Sequence, residues 1–184
     1  MKKSILLLSL LAAFAIAPKA SAQDNPFAAR HIMVSAYTGL PTQFTGMRIP
    51  PLGLTLEYGI ADFGQGDYGT IGAGVAYEAR MNRRLYEGDH YNIWAMQLAP
   101  YACYHYFFNE NMEVHAKVGF GWNNYETPGV TKRVNTVAMY DFVGASYFFS
   151  PSIAATAEVG WSGGIGFRPE SGVAIMHLGV SFVF

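Results

Sequence analysis

Hydrophobic and polar side chains alternate with a period of two through most of the chain beyond residue 30. The alternation is plainest between residues 113 and 123, where apolar and polar residues separate completely: Val114, Ala116, Val118, Phe120 and Trp122 against Glu113, His115, Lys117 and Asn123. Such a segment is typical of a strand with one face toward lipid. Eight segments share this character: 31–39, 52–60, 70–79, 91–106, 113–123, 136–149, 153–162 and 173–184.

Two of the eight segments leave the facing of their side chains open. Pro100 interrupts the fourth, and because proline cannot donate to a ladder, it predicts either a bulge or a register slip of one residue. In the sixth, Asp141 is better placed inside, but that choice also turns Val137, Met139 and Val143 inward.

The composition indicates that these strands form a closed barrel. Hydrophobic residues make up 51% of the chain, yet no uninterrupted apolar run beyond the N-terminal region is long enough for a membrane helix. In lipid, a closed barrel is then the structure that satisfies every backbone group. The sequence predicts an all-β protein, an eight-stranded antiparallel up-and-down transmembrane β-barrel. A soluble lipocalin-like barrel is the alternative, and it would bury the apolar faces inside.

The N-terminal region has the features of a secretory signal peptide. Lys2 and Lys3 precede an apolar run from 5 to 16, and Ala20-Ser21-Ala22 forms a cleavage site. We therefore expect residues 1–22 to be removed and residues 23–184 to form the barrel domain. Cys103 is the single cysteine, and export without an intramolecular disulfide is compatible with a Gram-negative envelope. With a net charge of −1, the chain is an improbable nucleic-acid binder.

The connections between segments fall at two ends of the predicted barrel. An even strand number puts both termini at one end, which should be periplasmic together with the turns 61–68, 108–112 and 149–152. The outer loops would be 40–51, 80–90, 124–135 and 163–172, and basic residues outnumber acidic ones there. Guanidinium and ammonium groups can bind phosphate oxygens, so these loops offer candidate lipopolysaccharide contacts at Arg83, Arg84, Lys132 and Arg133. The alternative is an ordinary solvated surface.

The chain resembles the small outer-membrane barrels of the OmpA/OmpX-like class, barrel domain only. The resemblance rests on the eight segments, on aromatic residues before the turns at 106–109 and 147–150, and on the terminal alternation at 180–184. It implies a Gram-negative outer-membrane protein that contacts outer-membrane lipids and the barrel-assembly machinery. A terminal phenylalanine is the assembly signal of that class, a role that would pass to Phe184 and more weakly to Phe182 and Val180.

Charged residues on the inward faces form the candidate site. The alternation directs these residues into the lumen: Glu57, Glu78, His115, Lys117, Glu158 and His177, with Glu113, His105 and Gln97. Because eight strands leave an interior that side chains can fill, we expect a salt-bridge and hydrogen-bond network. The functional alternative is a proton or ion path, or an acid/base site of Glu57 or Glu78 with His115 or His177.

The resulting prediction is a non-enzymatic, monomeric barrel with a structural or surface-interaction role. A narrow passive pore for water or small solutes is the alternative. A membrane-embedded lipid-modifying enzyme is less favoured, because Ser35, Ser146 and Ser181 lack a visible base and orienting carboxylate. No cofactor or metal is expected, since the sequence has no His-x-His, Cys-x-x-Cys or acidic loop, and residues 104–106 suit an aromatic girdle.

Overall fold

The computed structural model describes residues 25–41, 47–63, 68–86, 88–127, 130–164 and 172–184. The predicted signal peptide lies outside these ranges. Within them the chain forms eight strands: β1 (Ile32–Pro41), β2 (Met47–Phe63), β3 (Gly69–Tyr86), β4 (Asp89–Asn109), β5 (Met112–Thr127), β6 (Val130–Ser150), β7 (Ile153–Gly164) and β8 (Gly172–Val183). Among the described residues, no helix has the length and apolar character needed to cross a bilayer.

Each strand pairs antiparallel with its neighbour in sequence, and β1 pairs with β8 to close the barrel. The backbone of Phe184 continues this closure, since it exchanges two hydrogen bonds of 2.9 and 3.0 Å with Ile32. The predicted eight-stranded antiparallel barrel is confirmed.

The side chains alternate between the two sides of the barrel wall as the sequence pattern predicts. On β2, Leu54 is 55% exposed on the outside whereas Glu57 is 1% exposed in the lumen. The same holds around the barrel, where the outer surface carries a continuous set of exposed apolar residues that includes Val118, Phe120, Val159 and Leu178. A soluble lipocalin-like barrel would have the opposite arrangement, so that alternative is wrong.

Three predicted outer loops are mostly strand. In the loop 40–51, residues 40–41 belong to β1 and 47–51 to β2, while 42–46, like 165–171 of the fourth loop, lie outside the described residues. Residues 80–90 and 124–135 extend the β3–β4 and β5–β6 hairpins, whose last paired residues are Tyr86 with Asp89 and Thr127 with Val130. The sequence of these extensions does not alternate between apolar and polar residues, which is why the pattern did not reveal them as strands.

Pro100 and Asp141 also differ from the predictions. Pairing continues in one register on both sides of Pro100, which points outward, so there is neither a bulge nor a slip. Asp141 lies on the outward row of β6 and accepts a hydrogen bond of 3.3 Å from the Gly119 backbone. The inward row instead carries Tyr140 and Phe142, which are buried aromatic rings that fill the lumen.

Residues 25–31 fold into the end of the barrel at which β1 begins and β8 ends. Phe27 is fully buried there and packs with Met33, Phe107, Phe148, Ala154 and Val183. The Asp62 carboxylate accepts the Ala29 backbone N–H at 2.8 and 3.0 Å, and Thr70 donates to the Phe27 carbonyl at 3.0 Å. Arg30, with φ of 74°, turns the chain from this segment into β1. We call residues 25–31 the N-terminal plug.

Candidate functional site

The barrel interior gathers the predicted lumen residues with the exception of Asp141. Glu57, Glu78, His115, Lys117, Glu158 and His177 are all buried, as are Glu113, His105 and Gln97. They come from six of the eight strands, because the closed sheet brings one inward row from each strand to the barrel axis. The predicted set therefore occupies one continuous region.

Carboxylates and imidazoles alternate through this region. His105 lies 2.5 Å from Glu57 through Nε2 and 2.8 Å from Glu113 through Nδ1. His115 continues the series, with Nδ1 3.1 Å from Glu113 and Nε2 2.8 Å from Glu158. We call this series, together with His177 and Glu78, the Glu–His chain.

His177 extends the Glu–His chain toward the other half of the barrel. Its Nδ1 lies 3.3 Å from Glu158, and its Nε2 lies 3.3 Å from Glu78 with an orientation that does not form a hydrogen bond. Stacking holds this ring in place, since the Phe142 and Tyr37 ring centroids lie 4.2 and 4.1 Å away. The Glu–His chain thus joins four carboxylates through three imidazoles.

Two cations contact the Glu–His chain. Lys117 donates to Glu158 at 2.5 Å and lies 5.4 Å from the centroid of the Tyr101 ring. Arg80 belongs to the predicted outer loop 80–90, but the structure places it on β3, where its buried side chain donates to Glu78 at 2.9 Å and to the Ser162 carbonyl at 3.2 Å. The cationic groups are fewer than the carboxylates unless some of the imidazoles are protonated.

The inward hydroxyls form a second series. Ser35 and Ser181 lie 2.8 Å apart, Thr156 bridges Ser181 and Ser146 at 3.0 Å each, and Ser146 donates to Glu113 at 2.8 Å. Ser35, Ser146 and Ser181, which have no visible partner in the sequence, are thus joined through their hydroxyls, and Ser146 also contacts a carboxylate. Their pairing runs across neighbouring strands, so it cannot be found from spacing along the chain.

Tyrosine rings fill the space above inward glycines. A side chain at Gly53 would put its Cβ 2.0 Å from the Tyr37 ring, so only glycine leaves room there. Tyr37 and Tyr101 donate to Glu78 and Glu57 at 3.4 and 2.9 Å. A cavity of about 10 Å³ remains among Ser35, Thr55, Lys117 and their neighbours, which is room for about one water molecule.

His105 belongs to the lumen and not to the aromatic girdle in which residues 104–106 were placed. Its neighbour Tyr104 faces outward and stacks on Phe63, with ring centroids 5.3 Å apart. The sequence also gave no sign of the N-terminal plug, because a single phenylalanine in a non-alternating segment carries no periodic signal.

The predicted lipopolysaccharide-binding residues and the predicted assembly-signal residues lie toward opposite ends of the barrel. Arg83 and Arg84 are on β3 and Lys132 and Arg133 on β6, in two hairpins whose strands β4 and β5 are paired. Arg133 is exposed and is paired in register with Glu126, whereas the side chains of the other three are outside the described part of the chain. At the opposite end, Val180, Phe182 and Phe184 all face outward.

Comparison with known proteins gives a match in fold. No family model and no curated protein matches the sequence. Among solved structures, the N-terminal β-barrel domain of Pseudomonas aeruginosa OprF is 16% identical with a TM-score of 0.55, covering 85% of this chain and 98% of that one.

Two further structures give similar values. Neisserial surface protein A is 11% identical with a TM-score of 0.59, covering 84% of this chain and 95% of that one. Pseudomonas aeruginosa OprG is 9% identical with a TM-score of 0.58, covering 88% and 99%. The closed barrel, its exposed apolar surface and these likenesses lead to one conclusion: the chain has the fold of the small eight-stranded outer-membrane β-barrels.

Proposed function

We propose that this chain is a monomeric, non-catalytic protein of the Gram-negative outer membrane, exported by its N-terminal signal peptide, with a structural or surface-interaction role. The observation that carries the proposal is the filled interior. Tyrosine rings, the Glu–His chain and the paired hydroxyls occupy the lumen, and the N-terminal plug covers one end with the buried Phe27 ring. A filled barrel presents its outer surface and its hairpins as the parts available for interaction.

A non-catalytic role agrees with where the potential nucleophiles lie. Ser35, Ser146 and Ser181 are buried and point into the lumen, away from the lipid that a lipid-modifying enzyme would act on. Their hydroxyls bond to one another, to Thr156 and to Glu113. A substrate acyl chain would have to displace the packed interior to reach them.

The narrow passive pore is the competing function, and electrical recording separates the two. In planar bilayers the wild-type protein is expected to give no current steps above background, under conditions in which a general porin does. The Phe27→Ala variant should also stay closed, because the Glu–His chain and the tyrosines block the lumen beyond the plug. Reproducible current steps from the wild-type protein would show that the barrel conducts and would refute the closed-barrel proposal.

Assembly by the barrel-assembly machinery is proposed to depend on the Phe184 side chain. That side chain is 75% exposed, whereas the Phe184 backbone closes the barrel against Ile32. Substitution with alanine keeps the backbone bonds and removes only the exposed ring. Phe184→Ala should therefore lower the membrane level of folded protein several-fold while changing the free energy of unfolding by less than about 1 kcal/mol.

Phe149→Ala is the matched control for this prediction, since Phe149 is another exposed ring at the same end of the barrel. Its membrane level should stay near that of the wild type. Equal levels of the Phe184→Ala variant and the wild type in heat-modifiability gels would remove the assembly role from Phe184.

Lipopolysaccharide is the proposed partner of the basic residues on the two paired hairpins. Arg83 and Arg84 lie on β3 and Lys132 and Arg133 on β6, and these backbone positions are at the end of the barrel opposite the start of β1. Phosphate binding by such groups is charge-assisted. Added lipopolysaccharide should raise the unfolding temperature of the wild type, and replacing all four residues with glutamine should remove at least about half of that shift, in line with the strength of charge-assisted bonds.

The control is Arg30→Gln, which removes an exposed charge at the opposite end and should leave the shift intact. A full shift in the four-residue variant would contradict the proposal and return these residues to an ordinary solvated surface.

A further inference from the structure

Three of the buried lumen residues have the composition of a metal site. His105 on β4 and His115 on β5 are directly opposite in the register, and Glu113 lies two residues before His115 on the same inward row. One ligand atom from each of the three lies within 4.8 Å of the other two. Two imidazoles and a carboxylate form a ligand set common for divalent transition-metal ions.

The orientation of both rings suits metal binding. Each ring directs Nδ1 to Glu113, at 2.8 Å for His105 and 3.1 Å for His115. Each ring also directs Nε2 to a second carboxylate, Glu57 at 2.5 Å and Glu158 at 2.8 Å. A metal-ligating histidine almost always has such an outer partner, which fixes its tautomer and its ring orientation.

Proton counting supports the same assignment. A neutral imidazole has one N–H, yet each of these rings meets a carboxylate at both nitrogens. With neutral histidines, the buried carboxylates Glu57, Glu78, Glu113 and Glu158 outnumber the buried cations Lys117 and Arg80 by two in the described part of the chain. One divalent cation would supply the two missing charges.

We propose that Glu113, His105 Nδ1 and His115 Nδ1 bind one divalent transition-metal ion, of which Zn²⁺ is the representative case. The ion replaces the two Nδ1 protons, while each Nε2–H donates to Glu57 or Glu158. Every nitrogen of the His105 and His115 rings then has a suitable partner, and the ion balances the charges of the four carboxylates, Lys117 and Arg80. The ion has a structural role, because it joins β4 to β5 and neutralises the interior.

The contacts of Glu113 already have nearly the separations of a metal site, and all three ligand atoms lie within 4.8 Å of one another. Bond lengths of about 2.0–2.1 Å in a tetrahedral zinc site separate neighbouring ligand atoms by about 3.3 Å. The two contacts with Glu113 are already 2.8 and 3.1 Å, so the carboxylate must withdraw by only a few tenths of an ångström. Ser146, which donates to Glu113 at 2.8 Å, holds that carboxylate from behind.

Cys103 offers a competing arrangement. It lies two residues before His105 on the inward row, and its ligand atom forms a second group with His105 and Glu57. That group would use the Nε2 of His105 instead of Nδ1. The two arrangements make different predictions for substitutions at Cys103 and Glu113.

The test is metal binding by the full chain. Because the site is closed to solvent, the protein is refolded from urea into detergent with Co²⁺ or Zn²⁺, and unbound ion is removed. Folding is verified by heat-modifiable migration. The expected result is about one equivalent of either ion per folded chain, with Co²⁺ giving visible absorption and no thiolate charge-transfer band.

Substitutions then locate the ligands. Glu113→Gln and His115→Gln should abolish stoichiometric binding, and Glu57→Gln should weaken it about 10–100-fold as the loss of an outer partner does. Cys103→Ser and the control His31→Gln, which changes a half-buried histidine of the N-terminal plug, should retain one equivalent. If the Glu113 or His115 variant fails to fold, the Co²⁺ spectrum of the wild type still decides whether the ligands include a thiolate.

Two results would overturn the proposal. One is folded wild-type protein that retains no stoichiometric Co²⁺ or Zn²⁺, in which case protonated histidines balance the lumen carboxylates. The other is binding that is lost in Cys103→Ser and kept in Glu113→Gln, or a wild-type thiolate band, either of which would move the ion to Glu57, Cys103 and His105.

Discussion

The narrow interior of an eight-stranded barrel requires each inward polar side chain to find its partner among the other inward side chains. Lipid surrounds the wall, and the lumen has room for side chains but little for water. An unpaired buried carboxylate would cost several kcal/mol, so the inward rows must be complementary across strands. Glu158 illustrates this, since it contacts Lys117, His115 and His177 from β5 and β8.

The same constraint explains the sizes of the inward residues. Large rings such as Tyr37 can enter the lumen only where the facing position is a glycine such as Gly53. Where the charged region ends, near the termini, the interior becomes apolar and Phe27 closes it against Phe107 and Phe148. The N-terminal plug is fastened by Asp62, so the chain before β1 belongs to the packed structure.

How much of this could be predicted from the sequence differs between elements. The facing of β5 follows from alternation alone, because lipid selects apolar residues at every second position and that selection is visible in Val118 and Phe120. Alternation also identified the inward charges. It could not show which of them touch, since His105 meets Glu57 across a separation of 48 residues.

The sequence does not predict the structure of segments whose outward side chains do not face lipid, because these segments show no alternation. The sequences of the hairpin extensions and of the N-terminal plug do not alternate with a period of two. Asp141 was expected inside because a carboxylate in lipid is costly, but its backbone partner Gly119 and the inward aromatic rings of Tyr140 and Phe142 fix the opposite facing. The paired hydroxyls from Ser35 to Ser146 depend on strand order and register, which follow only from the closed sheet.

The single cysteine, Cys103, offers a direct test of whether the lumen is closed and packed. Cys103 is 2% exposed and lies on the inward face beside the Glu–His chain. The folded barrel is incubated with a small water-soluble thiol reagent, and the modified fraction is measured by mass spectrometry against the urea-unfolded protein. If the lumen is closed, the folded protein should show essentially no modification over a time in which the unfolded protein reacts completely. Comparable modification of both would contradict this expectation, because the reagent would have entered a lumen open to water.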